Sequence, residues 1–147
     1  MKLLDYDETI VIVTGSGERA LQVDMPLAEA LKARIDLLGS GHAYRRAVIV
    51  TDRRFMGMRE YHGNPTIAIG GPGVNGVAAE LSGVIPAVFN EDDRVIVQAD
   101  IDGNAARVAC WGTDAESTAR AVEIFSDGGF LSQLLDRVWR FRTDVLV

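Results

Sequence analysis

Apolar positions in this chain fall into two kinds of run. Thr9–Thr14, Arg46–Asp52 and Thr66–Ile69 are short, rich in β-branched residues and apolar without alternation. Such runs suit strands covered on both faces, as in a parallel sheet. Longer stretches repeat at three- and four-residue spacing. Pro26–Leu38 places Leu27, Leu31, Ile35 and Leu38 on one stripe, with Glu29, Lys32 and Asp36 facing out. This predicts a helix capped by Asp24 or Met25. Ala115, Ala119, Val122 and Phe125 or Ile124 form the inner face of a second helix, broken by Ser126-Asp127-Gly128-Gly129. Leu131, Leu134, Leu135, Val138 and Phe141 stripe a last helix over Phe130–Arg142, whose Arg137, Arg140 and Arg142 suit its C-terminal dipole end.

Between these runs lie the connections. Arg94–Ala99 and Ala105–Trp111 flank Asp100-Ile101-Asp102-Gly103-Asn104, the pattern of an antiparallel β-hairpin. Val84–Phe89 is a further short strand, and Pro86 points to an edge position or a late start. Asn90-Glu91-Asp92-Asp93 reads as an exposed turn. Thr113-Asp114-Ala115-Glu116 has the spacing of a capping box, with the Thr113 hydroxyl as cap. Gly15-Ser16-Gly17-Glu18-Arg19-Ala20 looks like a glycine fingerprint, but Pro26 puts the next helix start downstream. Gly15–Asp24 is therefore predicted to be a loop.

The chain is organised around Thr66–Leu81. A buried strand leads into Gly70-Gly71-Pro72-Gly73, and Val74, Val77, Ala78 and Leu81 then fit one face of a short helix that Gly83 stops. Gly71-Pro72-Gly73-Val74-Asn75-Gly76 satisfies G-x-G-x-x-G, with Glu91 and Asp92 downstream. Two readings stay open. One is a tight strand-to-helix turn; the other is a cradle of backbone N–H groups for a phosphate.

The order of elements predicts an α/β fold in three layers. A mainly parallel, Rossmann-like central sheet carries an antiparallel hairpin and two C-terminal helices, and residues 1–147 form one domain. Ligands of such sheets bind beyond the carboxyl ends of the strands. Those ends carry Thr14, Ser16, Asp52, Arg53, Gly71, Gly73, Asn75 and Thr113, the candidate ligand-binding residues.

Composition narrows the function. Of 147 residues, 48% are apolar and 24% charged, which suits a globular domain with a substantial core. The net charge of −6 argues against general nucleic-acid binding. No apolar run is long enough to span a membrane, and Met1–Glu8 is too acidic for a signal peptide, so a cytoplasmic location is expected. Cys110, the single cysteine, sits among apolar strand residues and is expected to be buried and inert. His42 and His62 lie apart in polar sequence and suggest no metal set. Arg45, Arg46, Arg53, Arg54 and Arg59, interleaved with Tyr44, Phe55 and Tyr61, make a basic segment in an acidic chain. It reads as a solvated face with salt bridges, or as a surface for an anion or acidic partner.

Ile69-Gly70-Gly71-Pro72-Gly73-Val74-Asn75, followed by the segment from Trp111-Gly112-Thr113 to Ala121, resembles a pattern in archaeal surface-layer-type proteins. There a Gly-Gly-Pro-x-x-Asn turn precedes a strand, a glycine and a Thr-x-x-Ala helix. The resemblance covers about half the chain and implies a shared α/β module without a role. Met1–Glu8 does not read as the export signal such proteins carry.

Two functions follow from these observations. The first is a non-catalytic module that binds a small anionic ligand or a protein partner, a second copy of itself included. The second is a nucleotide- or phosphate-binding, hydrolase-like enzyme. In it Asp52 or His62 would be the base, Arg53 the anion clamp, and the Gly70–Gly76 amides the phosphate or oxyanion donors. No motif names a catalytic residue or a cofactor: a nucleophile elbow and a P-loop lysine are both missing from the sequence.

Overall fold

A computed structural model describes residues 8–103 and 105–145, with side chains as far as Trp139. Met1–Asp7, Asn104 and the side chains of Arg140, Phe141 and Arg142 lie outside the described residues. The chain is α/β. Six strands form one sheet: β1 (Ile10–Thr14), β2 (Ala47–Thr51), β3 (Thr66–Ile69), β4 (Ala87–Glu91), β5 (Val95–Asp100) and β6 (Arg107–Gly112). Five helices pack on it: α1 (Met25–Leu38), α2 (Asp52–Gly57), α3 (Gly76–Leu81), α4 (Ala115–Asp127) and α5 (Phe130–Val145).

The strand order is β2-β1-β3-β6-β5-β4. β1 pairs in parallel with β2 and β3, and β3 in parallel with β6. β5 and β4 continue the sheet antiparallel. The first three strands of the sequence thus lie together, the last three lie together, and the two sets meet where Thr66–Ile69 pairs with Arg107–Cys110.

Unbroken apolar strands make sense because both sheet faces are covered. Ile10, Ile12, Ile67, Ile69, Val108 and Cys110 point to one face and pack with Leu31 and Ile35 of α1, Phe125 of α4 and Leu134 of α5. Val11, Val13, Ala68 and Ala109 point to the other and pack with Phe55 of α2 and Val77, Ala78 and Leu81 of α3. Period-two alternation sends successive strand residues to opposite layers, so each layer needs apolar neighbours.

Three expectations need correction. Gly15–Asp24 is not a loop: helix begins at Glu18 and passes through a π-helical turn, Ala20–Asp24, directly into α1. Leu38 is 56% exposed, and Ala28, Leu31 and Ile35 form the buried stripe of α1 instead. In α4 the buried positions are Thr118, Ala121, Val122 and Phe125, while Ala115 is exposed. The fourth strand starts after Pro86, at Ala87, and lies at the sheet edge. Its turn into β5 uses Asp92 and Asp93, both at φ 57°, where short polar side chains tolerate the left-handed region.

Candidate functional site

The carboxyl ends of β2, β1 and β3 are bound to one another by side chains. Asp52, the first residue of α2, accepts a hydrogen bond from the Gly76 amide at 2.7 Å through Oδ2. Its Oδ1 accepts from the Arg53 amide at 2.8 Å and from the Ser16 hydroxyl. Burial alone would raise this carboxyl, but the bonds from Gly76, Ser16 and Arg53, with the Arg53 charge, outweigh it. Asp52 is therefore held below the usual carboxylate range.

Asn75 lies between β1 and β3 and is buried. Its Nδ2 donates to Val13 O at 3.0 Å and Ile69 O at 2.9 Å. Its Oδ1 accepts from the amides of Val77 at 2.9 Å and Ala78 at 3.2 Å, which makes it the N-cap of α3. The donors that a phosphate cradle would offer here are thus engaged: Gly76 by Asp52, Val77 and Ala78 by Asn75. The turn is also tightly packed. A Cβ on Gly15 would lie 1.9 Å from Val74 O, so only glycine lets the β3 turn rest on the end of β1.

Of the candidate residues, Thr14, Ser16, Asp52, Gly71 and Asn75 come together along these strand ends. Arg53 is exposed, and Gly73 faces open space. A Cβ on Gly71 would meet the Trp111 ring at 3.5 Å. Thr113 stands apart at the end of β6, where its amide donates to Arg94 O at 3.1 Å. It is not the cap of α4. Asp114 is, accepting from the Ser117 amide at 2.7 Å. His62 lies before β3, at the opposite end of the sheet from Asp52, with Nε2 2.7 Å from Phe55 O. Of the basic segment, Arg45 is buried and pairs with Glu8 at 2.7 Å.

Sequence reasoning missed Asp24, read as a helix cap. The π turn instead carries it inward to 1% exposure, beside Gly70 at the end of β3. A Cβ on Gly70 would come within 2.7 Å of Asp24 Oδ2, and Gly70 has φ 108°. Glycine is required there twice, for conformation and for space. Burial pushes the Asp24 carboxyl up, against the opposing charge of Arg19. Asp24 Oδ2 and Thr14 Oγ1 are both buried and find no hydrogen-bond partner among the described residues. Thr14 has the same parity as Ile10 and Ile12, so it and Asp24 belong to the α1 layer at the β1–β3 junction. Only the π turn betrays this site, and no periodicity in Glu18–Asp24 announces it.

Among the described residues, no group of three His, Cys, Asp or Glu side chains is placed to hold a metal. Nor is any helix among them long and apolar enough to cross a membrane. No family model matches the chain, and no curated protein matches it.

Proposed function

We propose that this chain is a non-catalytic α/β binding module that holds a small ligand at the carboxyl ends of β1 and β3. The observation that carries the reading is the pair of buried, unpartnered oxygens, Asp24 Oδ2 and Thr14 Oγ1. Buried polar atoms are almost always satisfied, and exceptions concentrate where a further group is to be bound. Their position is the topological switch point, between β1, from which the chain turns to β2 on one side, and β3, which the chain reaches on the other side. A carboxyl and a hydroxyl there select a group that donates hydrogen bonds, such as an alcohol or an amine. Val74 and the Gly71–Gly73 turn form the rim.

The phosphate reading has less support, because Asp52 and Asn75 already take the α3 amides. A hydrolytic role for Asp52 has less support too, since three donors hold it as a hydrogen-bonded anion far from His62. Thermal-shift measurements with glycerol, ethanolamine, serine, inorganic phosphate and ATP test the proposal. A bound probe at a hundredfold its Kd stabilises by about 2.7 kcal/mol. The expected result is stabilisation by a hydroxyl- or amine-bearing probe that Asp24→Leu abolishes. Stabilisation by phosphate or ATP, or a probe effect that survives Asp24→Leu, would overturn it.

A further inference from the structure

A second site lies at the other end of the sheet and on its other face. Arg107 is the first residue of β6, and its side chain has the parity of Ala109, toward α2 and α3. There it borders a cavity of about 270 Å³. Phe55, Val77 and Leu81 supply apolar wall, His62 and Glu80 line it as well, and Met56, 46% exposed, stands at its mouth.

The guanidinium is held firmly. Nη1 donates to Asn64 O at 2.8 Å, and to Thr66 Oγ1 and Ala106 O at 3.2 Å. Nη2 donates to His62 O. The group lies 5.8 Å from the centroid of the Phe55 ring, which in turn packs at 5.0 Å on the His62 ring. Every one of these partners is neutral. No carboxylate among the described residues pairs with Arg107, and burial pushes its pKa down. Among the described residues Nε finds no hydrogen-bond partner, and Nη2 has one N–H to spare. A fixed cation with neutral partners, spare donors and a partly apolar cavity beside it is a receptor for an anion, because a half-buried charge gains most from a counter-ion.

We infer that this cavity binds a small carboxylate with an apolar body, its carboxylate on Arg107 and its body between Phe55, Val77 and Leu81. Two N–H donors of a planar guanidinium match the two oxygens of a carboxylate. The cavity falls short of the roughly 300–1,000 Å³ of drug-sized sites, so the ligand is compact. Apolar walls disfavour inorganic phosphate, whose remaining oxygens would lose water without gaining partners. The site is independent of the strand-end reading.

Benzoate is a suitable probe, with benzamide as its uncharged counterpart. In NMR titrations of the whole chain, benzoate shifts the Arg107 Nε–H and His62 ring resonances saturably, and benzamide binds at least about tenfold more weakly. Met56→Glu, at an exposed position, weakens benzoate at least about tenfold without moving Tm, and Glu80→Gln tightens it. Arg107→Lys keeps the charge but loses the fork, and weakens binding as well. Arg107 also ties Asn64 and His62 in place, so Met56→Glu is the decisive variant should Arg107→Lys fail to fold. The inference is overturned if benzoate causes no saturable shift, if benzamide binds equally, if Met56→Glu leaves benzoate affinity unchanged, or if inorganic phosphate displaces benzoate at lower concentration.

Discussion

The carboxylate of Asp52 accepts the amide of Gly76 at 2.7 Å and so joins the end of β2 to the start of α3 across the end of β1. An anion from the chain itself occupies the position that the glycine fingerprint suggested for a phosphate. The bond gives a first prediction. Asp52 is depressed in the folded state, so its stabilisation is present above the ordinary carboxylate pKa and is lost as pH falls through the lowered value. Asp52→Asn is therefore less stable than wild type at pH 7. The gap narrows once the pH is taken below about 4, as chemical denaturation across that range checks.

Asp24 has the opposite sign. Burial raises its pKa, so the protonated form favours the fold. Stability from this group is complete below its unfolded pKa and declines as pH rises through the folded one. Asp24→Asn removes the buried charge and raises Tm at pH 7, with the advantage shrinking toward pH 4. An equal gain at both pH values would show that charge is not the cause.

Asn75 makes four hydrogen bonds while buried. Asn75→Ala removes a partner from two buried carbonyls and two amides, at about 1–3 kcal/mol for each group left unsatisfied where water cannot reach. A loss of at least about 2 kcal/mol in urea unfolding is expected, well beyond that of a surface substitution.

Gly15→Ala forces a methyl against Val74 O. Overpacking of this kind costs about 1–3 kcal/mol. Gly73→Ala, in open space, changes stability by less than about 0.5 kcal/mol. Paired thermal melts of the two variants read the contrast directly.

Removal of the Asp114 side chain lowers Tm more than Thr113→Ala does, because Asp114 holds the Ser117 amide. Native Cys110, fully buried and with its thiol pKa pushed up by burial, reacts with a thiol reagent only as fast as the chain opens.

How much of this could be read from the residues depends on how locally each feature is encoded. β1, β2 and β3 announce themselves because their β-branched runs are covered on both faces. The β5–β6 hairpin shows in its Asp-Gly-Asn loop. The π turn does not show, because Leu21 is 64% exposed while Asp24 is buried, the reverse of what their polarities suggest. α2 is six residues long, half of them charged, and its Thr51 cap, which accepts from Arg54 N, has no periodic pattern after it to mark a helix. Thr113 and Asp114 are both good caps, and sequence cannot choose between neighbours one residue apart. The eight candidate residues follow from strand ends alone. Whether Asn75 faced a ligand or two backbone carbonyls depended on how closely β1 and β3 approach, a tertiary fact without a local signature.

The meeting of the two strand sets at β3–β6 has a further consequence. Residues before Ser82 build β2-β1-β3 with α1–α3, and residues after Pro86 build β6-β5-β4 with α4 and α5. Each half is continuous in sequence, and the connection between them is short. A chain opened along that seam bares the same strand edges in every copy. Two opened chains can then close on each other, each lending its second half to the first half of its neighbour. Size-exclusion chromatography after refolding at high concentration is then expected to show intertwined dimers whose halves pack as they do in the monomer, with only the Ser82–Pro86 hinge changed.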